Sequence, residues 1–329
     1  MPKVSVVMPI YNVESYVASA IQSVLQQTFT DFELLLVIDG ATDNSLAICK
    51  QFDDPRIRII EQQNRGLAGA RNTGIRQAQG EYIALLDADD LWLPEKLAKQ
   101  VAHLDNNPEV GISYAISAFI DEQDRSLGLY MSPKLQDITP QEVFCRNPVG
   151  NGSVPMIRQA VFAAIAFQYQ PGNDEMAYFD ESFRQSEDIE CWMRMALLTK
   201  WQFAGINQVL IRYRVNAGGL SANLDKQYQQ WQRMVDKMRD YAPTFLQDWE
   251  APARAYQLRY LARRAVRMRN AKTATRLMSQ SLACYKALLW QEPGRTLSTL
   301  AAAWLLRLLP LKFYQTLEQW GVNLSRKLK

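Results

Sequence analysis

The stretch Leu34-Leu35-Leu36-Val37-Ile38-Asp39-Gly40-Ala41-Thr42-Asp43 decides the fold. Five apolar residues in a row, with no polar residue alternating, mark a strand covered on both faces, as in a parallel sheet. The run stops abruptly on a turn carrying two carboxylates. Outward from it the same grammar repeats. Val4–Met8 reads as a strand, and Val13, Tyr16, Val17, Ala20, Ile21, Val24 and Leu25 follow at the three-and-four spacing of an amphipathic helix. Downstream come a helix over Asn44–Gln51, a strand near Arg56–Ile60, a helix over Leu67–Ala78 and a strand at Tyr82–Leu86. Pro94 opens a further helix, and Gly111–Ala118 reads as another strand. Strand–helix alternation predicts an α/β fold with an open, mostly parallel sheet flanked by helices.

Ligands of such sheets bind beyond the carboxyl ends of the strands. Three polar clusters stand there. Asp87-Ala88-Asp89-Asp90 sets three carboxylates in four residues after the apolar Ile83–Leu86. Hard oxygen ligands at this density suit Mg²⁺ or Mn²⁺, and the same residues suit an N-cap of the helix after Pro94. Asp39 and Asp43 flank Gly40: Asp39 can accept hydrogen bonds from a base or ribose, and Asp43 reads as a helix cap. Arg65, Arg71 and Asn72 lie among Gly66, Gly69 and Gly74, where a backbone can approach a phosphate and an arginine can grip it. Taken alone, that third cluster reads first as an ordinary surface helix.

Composition narrows the chemistry. With 48% apolar and 22% charged residues the chain has ample material for a core. A single histidine, His103, excludes a Ser/His/Asp triad and a polyhistidine zinc site. Cys49, Cys145, Cys191 and Cys284 stand at no metal-ligand or redox spacing, so reduced thiols are expected. No G-x-G-x-x-G or Walker A run is present, against dinucleotide oxidoreductases and P-loop enzymes. The opening Met-Pro-Lys lacks the features of a signal peptide, and no window supplies the ~20 apolar residues of a membrane span. A cytoplasmic chain is expected.

In order and in register, these pieces resemble the family 2 glycosyltransferases. Val4–Asn12 is similar to that family's first strand, and Ser23-Val24-Leu25-Gln26-Gln27-Thr28 to the end of its first helix. Asn64-Arg65-Gly66-Leu67-Ala68-Gly69-Ala70-Arg71-Asn72-Thr73-Gly74, Gly80-Glu81-Tyr82-Ile83 and the D-x-D segment Leu85–Asp90 follow in the family's order. The resemblance covers about residues 3–220 and implies an inverting enzyme of GT-A fold. It implies Asp39 at the nucleotide base, Pro9, Tyr11 and Asn12 lining the nucleotide pocket, and Arg71 near the diphosphate. Asp87 and Ala88 would meet the donor, with Asp89 and Asp87 as ligands of Mg²⁺ or Mn²⁺. Asn151-Gly152-Ser153 resembles the acceptor-side strand, so Asn151, Gly152 and Trp192 are expected beside the acceptor. Ser186-Glu187-Asp188-Ile189 resembles the segment that ends in the family's catalytic pair, which makes Asp188 the general base and Glu187 its neighbour on the acceptor. Two positions depart from the pattern: Ile38 stands where the family has a first aspartate before Asp39, and Asn216 where it often has histidine.

Net charge divides the chain. From Ala251 onward there are 15 Lys/Arg against Glu292 and Glu318, a net of +13, while the first 250 residues carry −10. Strand patterns end near Leu224. Helical spacing then recurs through Tyr228–Met238, Ala255–Val266 and Ala274–Leu282, and Pro293-Gly294 separates these from Leu297–Leu309. The expected organisation is a catalytic domain over 1–222, its donor half at 1–120 and acceptor half at 121–222, followed by an all-α basic region over 223–329. Arg259, Arg263, Arg264, Arg267, Arg269, Lys272 and Arg276, joined to Trp304, Leu305, Leu306, Leu308, Leu309, Leu311 and Phe313, predict a peripheral place on an anionic membrane surface. Nucleic acid is not expected as a partner. The predicted partners are a nucleotide-sugar donor, most simply a UDP-sugar, and a glycan or lipid-linked acceptor. Two other readings are a catalytically silent nucleotide-sugar-binding scaffold, suggested by Ile38 and Asn216, and a sugar nucleotidyltransferase. The latter requires a glycine-rich basic loop where Pro9-Ile10-Tyr11-Asn12 stands.

Overall fold

The computed structural model describes residues 1–169, 175–215 and 223–317. The chain divides into two compact units, Met1–Ala222 and Asn223–Lys329.

In the first unit, β1 (Val4–Ile10) and β2 (Phe32–Asp39) are buried at every position, as their apolar runs require. They pair in parallel from Val4 with Phe32 to Ile10 with Ile38. Between them α1 (Val17–Leu25) turns Val17, Ala20, Ile21 and Val24 inward. It starts four residues later than the spacing from Val13 suggests. The intervening chain leaves β1 through Asn12 at φ 50, and the Val13 N–H is held by Ser45 Oγ at 3.0 Å. After the short α2 (Ser45–Cys49), β3 (Ile57–Gln62) joins β2 in parallel. Next come α3 (Gly66–Gln77) and β4 (Tyr82–Leu85), which lies parallel to β1.

The remaining elements of this unit are β5 (Leu91–Trp92), α4 (Lys96–Asn106), β6 (Val110–Ile120), β7 (Ser126–Met131), α5 (Pro140–Arg146), β8 (Met156–Arg158), α6 (Gln159–Ile165), β9 (Phe167–Gln168), β10 (Met176–Ala177), α7 (Glu187–Leu198) and β11 (Gln202–Arg214). Among the described residues nine strands form one sheet in the order β3-β2-β1-β4-β8-β6-β11-β5, with β7 beside β6, and β9 and β10 pair separately. Parallel ladders carry most of the paired residues, and the antiparallel insertions give the sheet its functional geometry. Strand β8 runs against β4, Ala84 opposite Met156, so the 151–155 segment entering β8 meets the carboxyl end of β4. Strand β11 runs against β5, Arg212 opposite Leu91, which brings Arg214 to the turn between β4 and β5.

The second unit holds α8 (Leu224–Tyr241), α9 (Pro243–Arg267), α10 (Ala271–Cys284), α11 (Leu288–Gln291) and α12 (Pro293–Leu308), then a helical turn run at 311–317. Its core includes Leu258, Leu261, Ala265, Leu277, Met278 and Ala303. Asn223 and Asn270 cap α8 and α10, accepting from the backbone N–H of Lys226 at 2.9 Å and Thr273 at 3.1 Å. Pro293 does more than break the preceding pattern: it is the first residue of α12, where its missing N–H costs nothing. Among the described residues no helix is long and apolar enough to cross a membrane.

Candidate active site

The clusters flagged in the sequence meet at the carboxyl ends of β1, β2 and β4. Asp39 ends β2 and is almost fully buried. Its carboxylate accepts from Gln62 Nε2 at 2.7 Å and from the backbone N–H groups of Arg65 and Gly66, both at 2.8 Å. It therefore anchors the N-terminus of α3, where negative charge is favoured. Gly66 adopts φ +78, and a Cβ there would stand 2.0 Å from Arg184 Nη1, so the turn into α3 needs glycine. A carboxylate offers about four acceptor positions, and these bonds leave one for a ligand. Asn12 Oδ1 holds the neighbouring turn, accepting from Thr42 N at 2.8 Å. Tyr11 is exposed beside it, and Pro9 is buried within β1. Ile38 points to the opposite sheet face from Asp39, as alternation demands, and is core. Asp43 precedes Asn44, the N-cap position of α2, and steadies the turn into it, accepting from Ser45 N at 3.0 Å and Glu14 N at 2.9 Å.

Arg71 is the centre of the cluster. It is 1% exposed and lies on the buried face of α3. Its Nη2 donates to Asp87 Oδ1 at 2.7 Å and its Nη1 to Glu187 Oε1 at 3.0 Å. Burial opposes the guanidinium charge, but Asp87 and Glu187 more than offset it and hold the group firmly cationic. The resemblance implies Arg71 near the diphosphate. In the structure it is a buried bridge between the strand-end carboxylate and the acidic start of α7.

The D-x-D turn is braced from two sides. Asp90 is 1% exposed; its Oδ2 accepts from Ser153 Oγ at 2.5 Å and its Oδ1 from Arg214 N at 2.8 Å. Burial, then the charges of Asp89 and Asp87, push its carboxyl well above the ordinary range. It is a tie between β5, β8 and β11, and not a cap for α4. Ser153 Oγ also accepts from Asp87 N at 3.0 Å, and Arg214 Nε donates to the Asp89 carbonyl at 2.7 Å. Asp87 and Asp89 remain partly exposed, with Ala88 buried between them. Ser153 stands in the sequence only within the Asn151-Gly152-Ser153 motif, and nothing in the local pattern singles out Arg214. Their bracing role depends on antiparallel register, which local pattern does not encode.

On the segment that enters β8, Gly152 lies against the Arg71–Asp87 pair. A Cβ there would fall 2.1 Å from Arg71 Nη2 and 2.9 Å from Asp87 Oδ2. Gly152→Ala is accordingly expected to push the guanidinium off Asp87. The expected result is a turnover loss of about 10- to 100-fold from misplacement, with a stability loss of about 1–3 kcal/mol for overpacking. Steady-state rates and a thermal melt check both. Asn151 is 7% exposed and folded onto its own loop, its Oδ1 accepting from Ser153 N at 3.0 Å. It shapes that loop and does not reach outward. Trp192 is a correction: the sequence set it beside the acceptor, but it is fully buried and packs edge-on against Phe179, ring centroids 5.9 Å apart. At the sixth position of α7 it falls on the helix face that meets the core.

The segment before α7 is fastened to α3. Asn72 Nδ2 donates to the Phe179 carbonyl at 2.8 Å while its Oδ1 accepts from Phe179 N at 2.8 Å. Arg65 pairs with Glu181 through Nε at 3.0 Å and Nη2 at 2.8 Å. Ser186 then takes φ 66, a strained value for a residue with a Cβ, and α7 opens directly on Glu187 and Asp188. Glu187 is buried on Arg71, and Asp188 stays partly exposed with its Oδ1 accepting from Ile189 N at 2.8 Å. Burial, followed by the charge of Glu187, pushes the Asp188 carboxyl up to about 7, against the opposing pull of Ile189 N–H and Arg71. A partly exposed carboxylate poised near neutrality can take a proton from a hydroxyl. Asn216 lies outside the described residues.

This constellation has known counterparts. The profile of the glycosyl transferase family 2 domain matches residues 5–165. The chain is 30% identical over 238 residues, 71% of its length and 85% of the relative's, to an Escherichia coli protein. That relative is named UDP-Glc:alpha-D-GlcNAc-diphosphoundecaprenol beta-1,3-glucosyltransferase. The chain belongs to glycosyltransferase family 2. Of some longer curated relatives, this glycosyltransferase spans only about a third, 31–33% of their length. Its fold is shared with a mannosyltransferase of Pyrobaculum calidifontis solved with GDP-Man and Mn²⁺, at a TM-score of 0.57, 20% identity and 92% and 86% coverage of the two chains. Residues 1–349 of TarS from S. aureus, in complex with UDP, give a TM-score of 0.52 at 18% identity, covering 88% and 92%. The GT-A-like sheet and the helical C-terminal region are thus established, and the chain is a sugar-transferring enzyme.

Proposed function

We propose that this glycosyltransferase moves a sugar, with inversion, from a UDP-sugar to a hydroxyl of a lipid-linked or polysaccharide acceptor. The observation that carries the reading is Arg71, which gathers Asp87 from β4 and Glu187 from α7 into one cluster beside Asp188. The donor side falls to residues 1–120, through Asp39, the Tyr11–Asn12 turn, Asp87 and Ala88. The acceptor side falls to 121–222, with Gly152 leaving room at the cluster. The E. coli relative's lipid-diphosphate acceptor and its UDP-sugar, and the UDP on TarS, support these classes.

Among the described residues no three carboxylate, imidazole or thiolate side chains form a ready metal cage. Two hard carboxylates at a strand end nevertheless fit Mg²⁺ or Mn²⁺, which characteristically bind one or two protein carboxylates and complete their shell with water and substrate phosphates. Asp89 and Asp87 would hold the cation, and bound there it neutralises charge on the departing nucleoside diphosphate. The Mn²⁺ of the Pyrobaculum neighbour supports this choice.

Asp188 removes the proton of the attacking hydroxyl as the new C–O bond forms at the anomeric carbon. The C–O bond to the diphosphate breaks on the opposite face, so configuration inverts and a single base suffices. Glu187, fixed by Arg71, orients the acceptor. The enzyme works at the cytoplasmic face of a membrane, held there by the basic helices of residues 223–329.

The test is incubation of the purified chain with UDP-Glc, UDP-GlcNAc and GDP-Man, a divalent cation and a polyprenyl-diphosphate-linked sugar. Nucleotide release and the anomeric proton couplings of the product are read by NMR. A product of inverted configuration from one donor is expected; a retained configuration contradicts the single-base reading.

A further inference from the structure

Helix α12 has two apolar faces, and its own unit covers only one. Thr296, Thr299, Ala303 and Leu306 are buried, with Ala303 and Leu306 in the core of the second unit. On the other side Leu297, Trp304, Leu305 and Leu308 are 53%, 42%, 40% and 71% exposed. With exposed Ala301 they recur at i, i+4, i+7, i+8 and i+11, one unbroken stripe. The stripe continues beyond Pro310, where Leu311 and Phe313 are also exposed. A contiguous apolar surface of this kind marks an interaction site.

Charge selects the partner. No Asp or Glu occurs between Pro293 and Leu317, while Arg295, Arg307 and Lys312 do. Near the start of α12, Arg295 acts on Arg263 of α9 together with Arg267 and Arg259 of the same helix. The one carboxylate in this group, Glu292, is shared: it pairs with the buried Arg259 and, at 3.8 Å, with the exposed Arg295, so it balances only part of the cluster's charge. Burial and the repulsion of Arg267, Arg295 and Arg259 hold the Arg263 guanidinium below its ordinary range. A cluster that raises its own electrostatic energy in this way gains from a multivalent anion laid across it. Leucine, tryptophan and phenylalanine beside arginine and lysine, without acids, is the composition of a helix lying in a lipid headgroup layer.

We propose that the outer stripe of α12, together with Arg263, Arg267 and Arg295, docks on an anionic phospholipid bilayer, with α12 lying in the plane of the surface. This deepens the membrane-peripheral part of the function proposed above, on which it rests, by naming the face and the lipid charge it requires.

Flotation of the full chain with vesicles tests it, using phosphatidylcholine alone and phosphatidylcholine mixed with phosphatidylglycerol. The unmodified chain is expected to float with the anionic vesicles, to stay behind with the neutral ones, and to be released by salt. Leu308→Glu is expected to weaken anionic binding by about tenfold or more. Arg295→Gln is expected to weaken it about fivefold, one basic contact's share, and leaves the apolar stripe intact should the first variant be suspected of misfolding. Thermal melts and UDP binding of both variants should match the unmodified chain, which separates failure of this surface from failure of the transferase reading. Equal binding to both vesicle types overturns the charge selection. No vesicle binding overturns the proposal, as does a dimer that dissociates on Leu308→Glu, which assigns the stripe to a second copy of the chain.

Discussion

Asp188→Asn is expected to lower turnover by about 10²-fold or more, the usual contribution of a positioned general base, while donor binding is unchanged. The amide keeps the size of the carboxylate and can still accept from Ile189 N–H, but it cannot take a proton. Because Glu187 lies next in sequence and raises the Asp188 carboxyl, removing the charge relieves repulsion at the start of α7. The folded state should therefore be no less stable, which sets this variant apart from a structural lesion. The pH dependence follows with a definite sign. A base works only when ionised, so kcat/KM should fall about tenfold per pH unit on the acid side of the Asp188 pKa. Burial and the charge of Glu187 push that value up to about 7. A cation at Asp87 favours the ionised form and draws the acid limb lower. Rates from pH 5 to 9 and calorimetric UDP binding check both halves. A variant that keeps more than about a tenth of turnover removes Asp188 from the role of base.

The second large effect belongs to Arg71. Arg71→Gln keeps length but removes the one cation, among the described residues, bonded to both Asp87 and Glu187. Taking one partner from a buried ion pair costs about 3–5 kcal/mol. Asp87 is a quarter exposed, so the loss here should lie near the lower end, about 3 kcal/mol. Arg71 also favours the ionised form of Asp188. Without it the Asp188 carboxyl rises further, and the acid limb of the rate profile moves to higher pH. Arg71→Lys should not rescue, since one ammonium cannot bridge two carboxylates that a planar fork spans. A melting curve and a rate profile for the two variants decide the matter. Unmoved melting with an unmoved acid limb would reduce Arg71 to a bystander.

These expectations show where the sequence was readable. The Leu34–Ile38 run and its acidic stop disclosed a strand covered on both faces and the end at which chemistry gathers, because burial and turn chemistry are local properties. Motif order singled out Asp87 and Glu187, and the structure brings those two together on Arg71. What stayed hidden depends on register and rotation. Arg71 was readable as an arginine near glycines, but its two carboxylate partners lie 16 and 116 residues away. Asp90 reads as a helix cap until antiparallel β8 and β11 bring Ser153 and Arg214 to it. Trp192 shares a short segment with Glu187, and only the phase of α7 tells that one faces Arg71 and the other the core. Pro293 signalled a break correctly, yet whether a proline ends one helix or starts the next depends on the residues that follow.

The central claim is that the β2 and β4 strand ends form a metal-assisted nucleotide site. Calorimetric titration of UDP, GDP, dTDP and CDP into the purified chain, with Mn²⁺ and again with EDTA, tests it most directly, and Asp89→Asn serves as the control. The account expects UDP to bind with Mn²⁺, and expects binding to fall sharply with EDTA or in Asp89→Asn. A folded chain that binds none of the four nucleotides, with or without metal, would contradict it.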